Sequence, residues 1–172
     1  MKITKVDCLL LRPLDEGWTG TPDGIGRELR TKGASFQRIP HECGERICGR
    51  WQYNRCFQEG AVQVAQPDLG NCGGITEVKK ICDLAYIYES SVQVHVCGSP
   101  LVTAASLHVE AAIPNFQIHE YNVNTMLPEM LKCAKYNYQP VGGYYEIPEL
   151  PGISNEISDW AYGESEIATI GG

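Results

Sequence analysis

The stretch Ser91-Val92-Gln93-Val94-His95-Val96-Cys97-Gly98-Ser99-Pro100 decides the fold. Its first six residues alternate in the manner of a β-strand with two different faces. The run carries a histidine near its end and passes through a short loop. It then reaches a proline well placed as the first residue of a helix. The helical pattern that follows runs through Ala104, Ala105, Leu107, Val109 and Ala112. The same order recurs on both sides. Ser35–Pro40, Ala61–Gln66 and Asn115–Glu120 are further β-rich runs. Trp51–Glu59 reads as a short helix stopped by Gly60. Ile75–Ala85 reads as a longer one, with Ile75, Val78, Cys82 and Ala85 on one face and Lys79, Lys80 and Asp83 turned away. Strands alternating with helices at this spacing predict βαβ units and a parallel sheet.

The polar residues at the ends of these runs carry the chemistry. Glu45, Asp68, His95 and Glu120 each fall at or just past the C-terminal end of a strand, at intervals of about 25 residues, one βα unit each. In a parallel barrel the C-terminal strand ends share one mouth, where reacting groups gather. A histidine alone is most often a structural hydrogen-bonding group. An aspartate from the neighbouring strand changes that reading, because a carboxylate beside an imidazole fixes its tautomer and makes the pair a general acid or base. Glu45 and Glu120 lie at the same level. One of them could bind a hard cation such as Mg²⁺, which prefers oxygen ligands.

Composition narrows the partners. The chain has 172 residues, 43% hydrophobic and 20% charged, which is globular composition for one domain. Its formal net charge of −7, without a basic stripe, argues against nucleic acid and against anionic membranes as partners. The longest purely apolar runs, such as Cys8–Leu11, are far too short for a membrane span. Eight cysteines are scattered with no CxxC pair, so neither a disulfide scaffold nor a zinc site is indicated. Several sit in apolar helical patterns as small hydrophobes, and the reading is a reduced, cytoplasmic chain.

At these residues the chain resembles the mandelate racemase/muconate lactonizing enzyme branch of the enolase superfamily, and most of all its sugar-acid dehydratases of the mannonate, galactonate and gluconate kind. The matching stretches are Gly44-Glu45-Arg46 with Arg50-Trp51, then Gln66-Pro67-Asp68-Leu69 and Gly73-Gly74-Ile75-Thr76-Glu77. His95 follows with Gly98-Ser99-Pro100, then Ile113-Pro114-Asn115-Phe116 running to His119-Glu120. The tail Tyr144–Pro148 with Pro151-Gly152 resembles the family's return to its capping domain. The resemblance implies an α/β fold, the C-terminal half of a (β/α) barrel, strands 5–8 with their helices, plus remnants of an α+β cap. It divides the chain into a cap hairpin over 1–20, an unassigned junction over 21–35, the partial barrel over 36–125 and the return to the cap over 126–172.

The resemblance also implies roles. Glu45 matches a carboxylate ligand of Mg²⁺, Asp68 the partner of the catalytic histidine, and His95 the histidine that moves a proton. Glu120 matches a carboxyl group contacting the substrate or the developing enolate. The implied function is dehydration of a sugar acid. A proton is removed α to the carboxylate, the enediolate is held by Mg²⁺, and the protonated histidine helps a β-hydroxyl leave as water. The product is a 2-keto-3-deoxy acid.

Two earlier strands with their metal ligands, and the base usually carried there, have no counterpart. A complete barrel takes about 250 residues and seldom fewer than about 200. The chain therefore reads as a shortened member with impaired activity, exposing two sheet edges through which copies could pair. The alternatives are a non-catalytic remnant or interaction module of the same family, a racemase or cycloisomerase of the same superfamily, and a cysteine-dependent hydrolase using Cys97 near His95. Among the other histidines, His41 precedes the Glu45 loop and His108 reads as the outer face of a helix. His119 should point away from Glu120. The tyrosines Tyr136, Tyr138, Tyr144 and Tyr145 read as packing surface.

Overall fold

The computed structural model describes residues 6–9, as backbone, and 41–165. The elements in order are β1 (Val6–Leu9), β2 (Glu42–Cys43), α1 (Gly49–Gln58), β3 (Val64–Ala65), α2 (Gly74–Ile87), β4 (Ser91–Val92), α3 (Pro100–Ala111) and β5 (His119–Glu120). A 3₁₀ turn (Val123–Met126), α4 (Pro128–Leu131), β6 (Tyr144–Tyr145) and α5 (Asp159–Gly163) complete the chain. Of the expected hairpin over 1–20 only β1 is described. The junction over 21–35 and the run Ser35–Pro40 lie outside the described residues.

β2, β3 and β4 form a parallel sheet in chain order, with Glu42 beside Val64 and Val64 beside Ser91. The regular pairs are short, but the hydrogen bonds run further. Gln66 donates to the Cys43 carbonyl at 3.0 Å, Gln93 to Ala65 at 3.0 Å, and His95 to Pro67 at 3.1 Å. Val92 pairs in parallel with Phe116, which carries the ladder on toward β5. Each parallel step needs a crossover, and α1, α2 and α3 supply them in turn. This is the α/β architecture expected, part of a parallel barrel.

Both faces are covered in the middle of this sheet, so β3 and the run from Val92 are buried more continuously than a two-faced strand would be. Val64 and Ala65 are both buried, and Gln93 lies buried between Val92 and Val94. The alternation read from Ser91–Val96 therefore does not mark a wet face. α2 buries Val78, Ile81, Cys82 and Ala85 against the sheet. Ile75, expected on that stripe, is instead exposed and lines a shallow apolar groove with Lys79, His108, Val109 and Ala112. It sits in the first turn and leans toward α3 rather than the sheet. α3 is buried almost all round, with Ser99 before it and Pro100 as its first residue. The tail covers its outer side. Asn155 Nδ2 donates to the Pro100 carbonyl at 3.2 Å, and His108 Nε2 meets Ser154 Oγ at 3.1 Å. His108 is therefore partly covered rather than simply outward.

The two expected bare edges differ from each other. β1 runs parallel to β5, with Leu9 beside Glu120, and antiparallel to β6, so the β5 side carries further strands. On the other side of the sheet, β2 has no outer neighbour among the described residues, and Glu42 and Cys43 are exposed. Among the described residues no helix is long and apolar enough to cross a membrane.

The turn after β2 is fixed by a close approach. Gly44 has φ +146, and a Cβ there would sit 2.2 Å from the Tyr53 hydroxyl. That hydroxyl donates to the Gly44 carbonyl at 2.8 Å from a fully buried ring on α1. Burial pushes the Tyr53 phenol up, so it remains a donor. Gly44→Ala is expected to lower stability by about 2 kcal/mol or more, because strain and loss of this bond coincide. Tyr53→Phe is expected to cost about 1–2 kcal/mol. Urea unfolding followed by circular dichroism measures both. A Gly44→Ala chain as stable as the original would show that the contact does not hold the turn.

Candidate functional site

The parallel ladder brings three of the four expected residues together. Asp68 and His95 lie beside one another as a parallel bridge, just past the ends of β3 and β4. The His95 Nδ1–H donates to Asp68 Oδ2 at 2.6 Å. Asp68 is itself held, since its Oδ1 accepts the amides of Gly70 at 2.6 Å and Asn71 at 3.0 Å. The residues that follow Asp68 curl back on it as the chain turns toward α2. Gly73, with φ +111, lets the chain enter the helix there, and a Cβ would meet Glu77 at 3.1 Å.

Glu120 ends β5 and turns its carboxylate to the same mouth. One oxygen accepts the Val96 amide at 3.2 Å, and the other lies 4.0 Å from His95 Nε2. That second distance is too long for a hydrogen bond and short enough for charge to be felt. With Nδ1 committed to Asp68, Nε2 is the atom of the ring free to exchange a proton. The imidazole is about one-fifth exposed, so it is held but reachable. Burial pushes the Glu120 carboxyl above the usual glutamate range, while the charge of His95 and the Val96 amide pull it back. A carboxyl so placed can carry a proton where an ordinary glutamate would not.

Glu45 stands apart. It is half-buried just past β2, and its carbonyl accepts Asn71 Nδ2 at 3.3 Å. Its charge reaches Glu120 only weakly, and its side chain makes no ion pair among the described residues. Nor do any three His, Cys, Asp or Glu side chains among the described residues gather to hold a metal ion. Magnesium is therefore not accommodated by these residues on their own. One carboxylate leaves an octahedral cation with too few protein ligands.

The cysteines are uninvolved. All seven described cysteines are free thiols. Burial pushes Cys72 up to about 11 and Cys82 up to about 12, so both remain protonated. Cys97 is exposed, and among the described residues no hydrogen bond joins it to His95. His41 is exposed and serves the sheet through its backbone. His119 points away from Glu120 as expected, and its ring is fully buried against Glu110.

Two acids went unnoticed in the sequence. Glu77 Oε1 accepts the Arg50 amide at 2.9 Å and lies 3.4 Å from the Arg50 guanidinium, so α2 supplies the N-terminal partner that α1 lacks. Glu110 pairs with His119. Glu110 carries no local signal, because it shares its face of α3 with Thr103 and Ser106 and so reads as part of a polar side.

Comparison with known proteins agrees with the fold. Residues 23–161 match the family model described as Enolase C-terminal domain-like. A D-galactonate dehydratase of Ralstonia pickettii (strain 12J) is 33% identical over 132 residues, 73% of this chain and 34% of that protein. A solved member of the enolase superfamily from Salmonella Typhimurium is 50% identical, with a TM-score of 0.72 over 75% of this chain and 33% of that one. A proposed dehydratase from Zymomonas mobilis ZM4 is 51% identical, with a TM-score of 0.72 over 74% of this chain and 33% of that one. The chain spans about a third of the length of the relatives it matches.

Two outcomes test the site as described. Asp68→Ala is expected to shift neutral His95 away from the Nδ1–H tautomer, read from the ¹⁵N shifts of its ring, whereas an unchanged tautomer would mean that Asp68 does not set it. Glu120 binds its proton more tightly folded than unfolded, so stability falls as pH rises from the ordinary glutamate range through the raised one. Glu120→Gln should therefore stabilise the chain at neutral pH, with the gain shrinking below the ordinary glutamate range. A gain that is the same at all pH values would contradict the burial account.

Proposed function

Because the chain belongs to the Enolase C-terminal domain-like family, we propose that it carries the proton-transfer side of a sugar-acid dehydratase site. The observation that carries the reading is His95 held at Nδ1 by Asp68 with Nε2 facing the Glu120 carboxyl at one mouth. The named activity of the Ralstonia relative supports the choice of a sugar acid as substrate.

On this reading His95 Nε2 gives a proton to the departing β-hydroxyl of an aldonate. Asp68 keeps Nδ1 protonated and the ring in plane, and holds the charge that appears on the ring when it takes a proton. Glu120, whose carboxyl burial pushes toward its protonated form, donates to a substrate oxygen as negative charge develops there. His95 Nε2 first takes the α-proton and then returns it to the β-hydroxyl, so water leaves and the remaining enol becomes a 2-keto-3-deoxy acid. In the family this chemistry is Mg²⁺-dependent, and Glu45 is the residue of this chain assigned to the ion. The described residues offer no further ligand, which supports the reading that the chain by itself is impaired. The free thiols support a reducing, cytoplasmic setting, and the exposed β2 edge supports pairing between copies.

The test is a chimera in which residues 41–165 replace the matching third of the Salmonella relative. It is expected to form a 2-keto-3-deoxy acid from at least one aldonate in a metal-dependent reaction. His95→Ala in that chimera should lower kcat by about 10²–10⁴. The unmodified chain alone should show no metal-dependent turnover. A chimera indifferent to His95→Ala would sink the role of His95. Turnover by the chain alone, lost in His95→Ala, would sink the impairment.

A further inference from the structure

The Glu110–His119 pair lies on the opposite face of β5 from Glu120. His119 Nδ1 is 2.6 Å from Glu110 Oε2, and both side chains are completely buried. The His119 ring also packs edge-on against Tyr145, with ring centroids 4.7 Å apart. The arrangement is costly. Among the described residues Glu110 Oε1 and His119 Nε2 are buried without a hydrogen-bond partner, and burial pushes the Glu110 carboxyl up against the pull of His119. Two apolar side chains of similar volume would hold α3 to β5 at no such cost. A polar pair retained at that place calls for a reason beyond packing.

The reason lies one residue along the chain. Successive strand residues point to opposite faces, so fixing the His119 ring fixes the direction in which Glu120 leaves the backbone. β5 has only two regularly paired residues to hold it. We propose that Glu110 and His119 are positioning residues which hold Glu120 against the Val96 amide and His95. This rests on the proton-transfer reading above for its purpose, though not for its geometry. The charged groups whose fields reach Glu120 are His95 from the loop after β4, His119 beside it on β5 though turned to the other face, and, most weakly, Glu45 from the loop after β2. Glu110 of α3 feels Glu120 in turn. The pair therefore acts on Glu120 twice, through the backbone and through the charge of His119, which holds the Glu120 carboxyl down against its burial.

The experiment reads the geometry and protonation of Glu120 rather than turnover, using ¹³C-carboxyl and amide NMR of the full chain. His119→Asn keeps a polar side chain but removes the ring and its charge. It should raise the pH at which Glu120 titrates, weakening its acid dissociation constant about threefold or more, and should move the Val96 amide resonance. Glu110→Gln, which keeps the shape of the side chain, should move both in part. In the unmutated chain the Val96 amide and the His119 ring should shift together as Glu120 titrates. That coupling needs no variant to fold, and independent midpoints would overturn the proposal. Folded variants with Glu120 and Val96 unchanged would also overturn it, leaving the pair as packing alone. Neither result depends on whether His95 moves a proton, which the chimera decides separately.

Discussion

Everything at the mouth depends on the parallel register that runs from β2 through β4 to Phe116. Parallel strands fix which residue stands beside which, because a slip of one residue would turn every side chain to the other face. The Asp68–His95 bridge is a direct product of that register. The carboxylate and the imidazole meet because their backbones are neighbours in the ladder, and neither side chain has to reach. The helices enforce it: α2 can lie on the sheet with Val78, Ile81, Cys82 and Ala85 buried only if β3 and β4 lie side by side beneath it.

Charge is then arranged in two layers across β5. On the open side, Asp68, His95 and Glu120 share one ring and two carboxylates, and the ring is reachable. On the closed side, Glu110 and His119 repeat a carboxylate–imidazole pair with no solvent contact at all. The open pair is well satisfied, since Asp68 accepts two amides besides the ring. The closed pair leaves two polar atoms unmet among the described residues. The same chemistry thus appears once where a small molecule could meet it and once where only the protein can.

Much of this was legible in the sequence. The βα spacing and Pro100 located α1, α2 and α3 to within a residue or two, while the short α4 and α5 of the tail had no such signal. Strand ends about one unit apart located Asp68, His95 and Glu120, because chain order in a parallel sheet is also spatial order. What could not be read is where a local pattern meets its neighbours. Ile75 has the right spacing for the α2 stripe, yet its place in the first turn turns it to α3. Gln93 has polar chemistry, yet a sheet covered on both faces buries it. Glu110 and Glu77 look like surface acids until the partner 9 or 27 residues away is known. That Glu45 makes no hydrogen bond or ion pair with the trio among the described residues depends on how its loop turns, which spacing along the chain does not encode.

The Glu77 contact has a consequence in time as well as space. α1 begins at Gly49 with no side-chain cap of its own, and the carboxylate that satisfies its Arg50 amide is borne by α2. A short helix without its end satisfied is a marginal structure. As the chain leaves the ribosome, α1 therefore has little to hold it until α2 has also emerged. One carboxylate oxygen on α2 thus ties the stability of the first βα unit to the presence of the second.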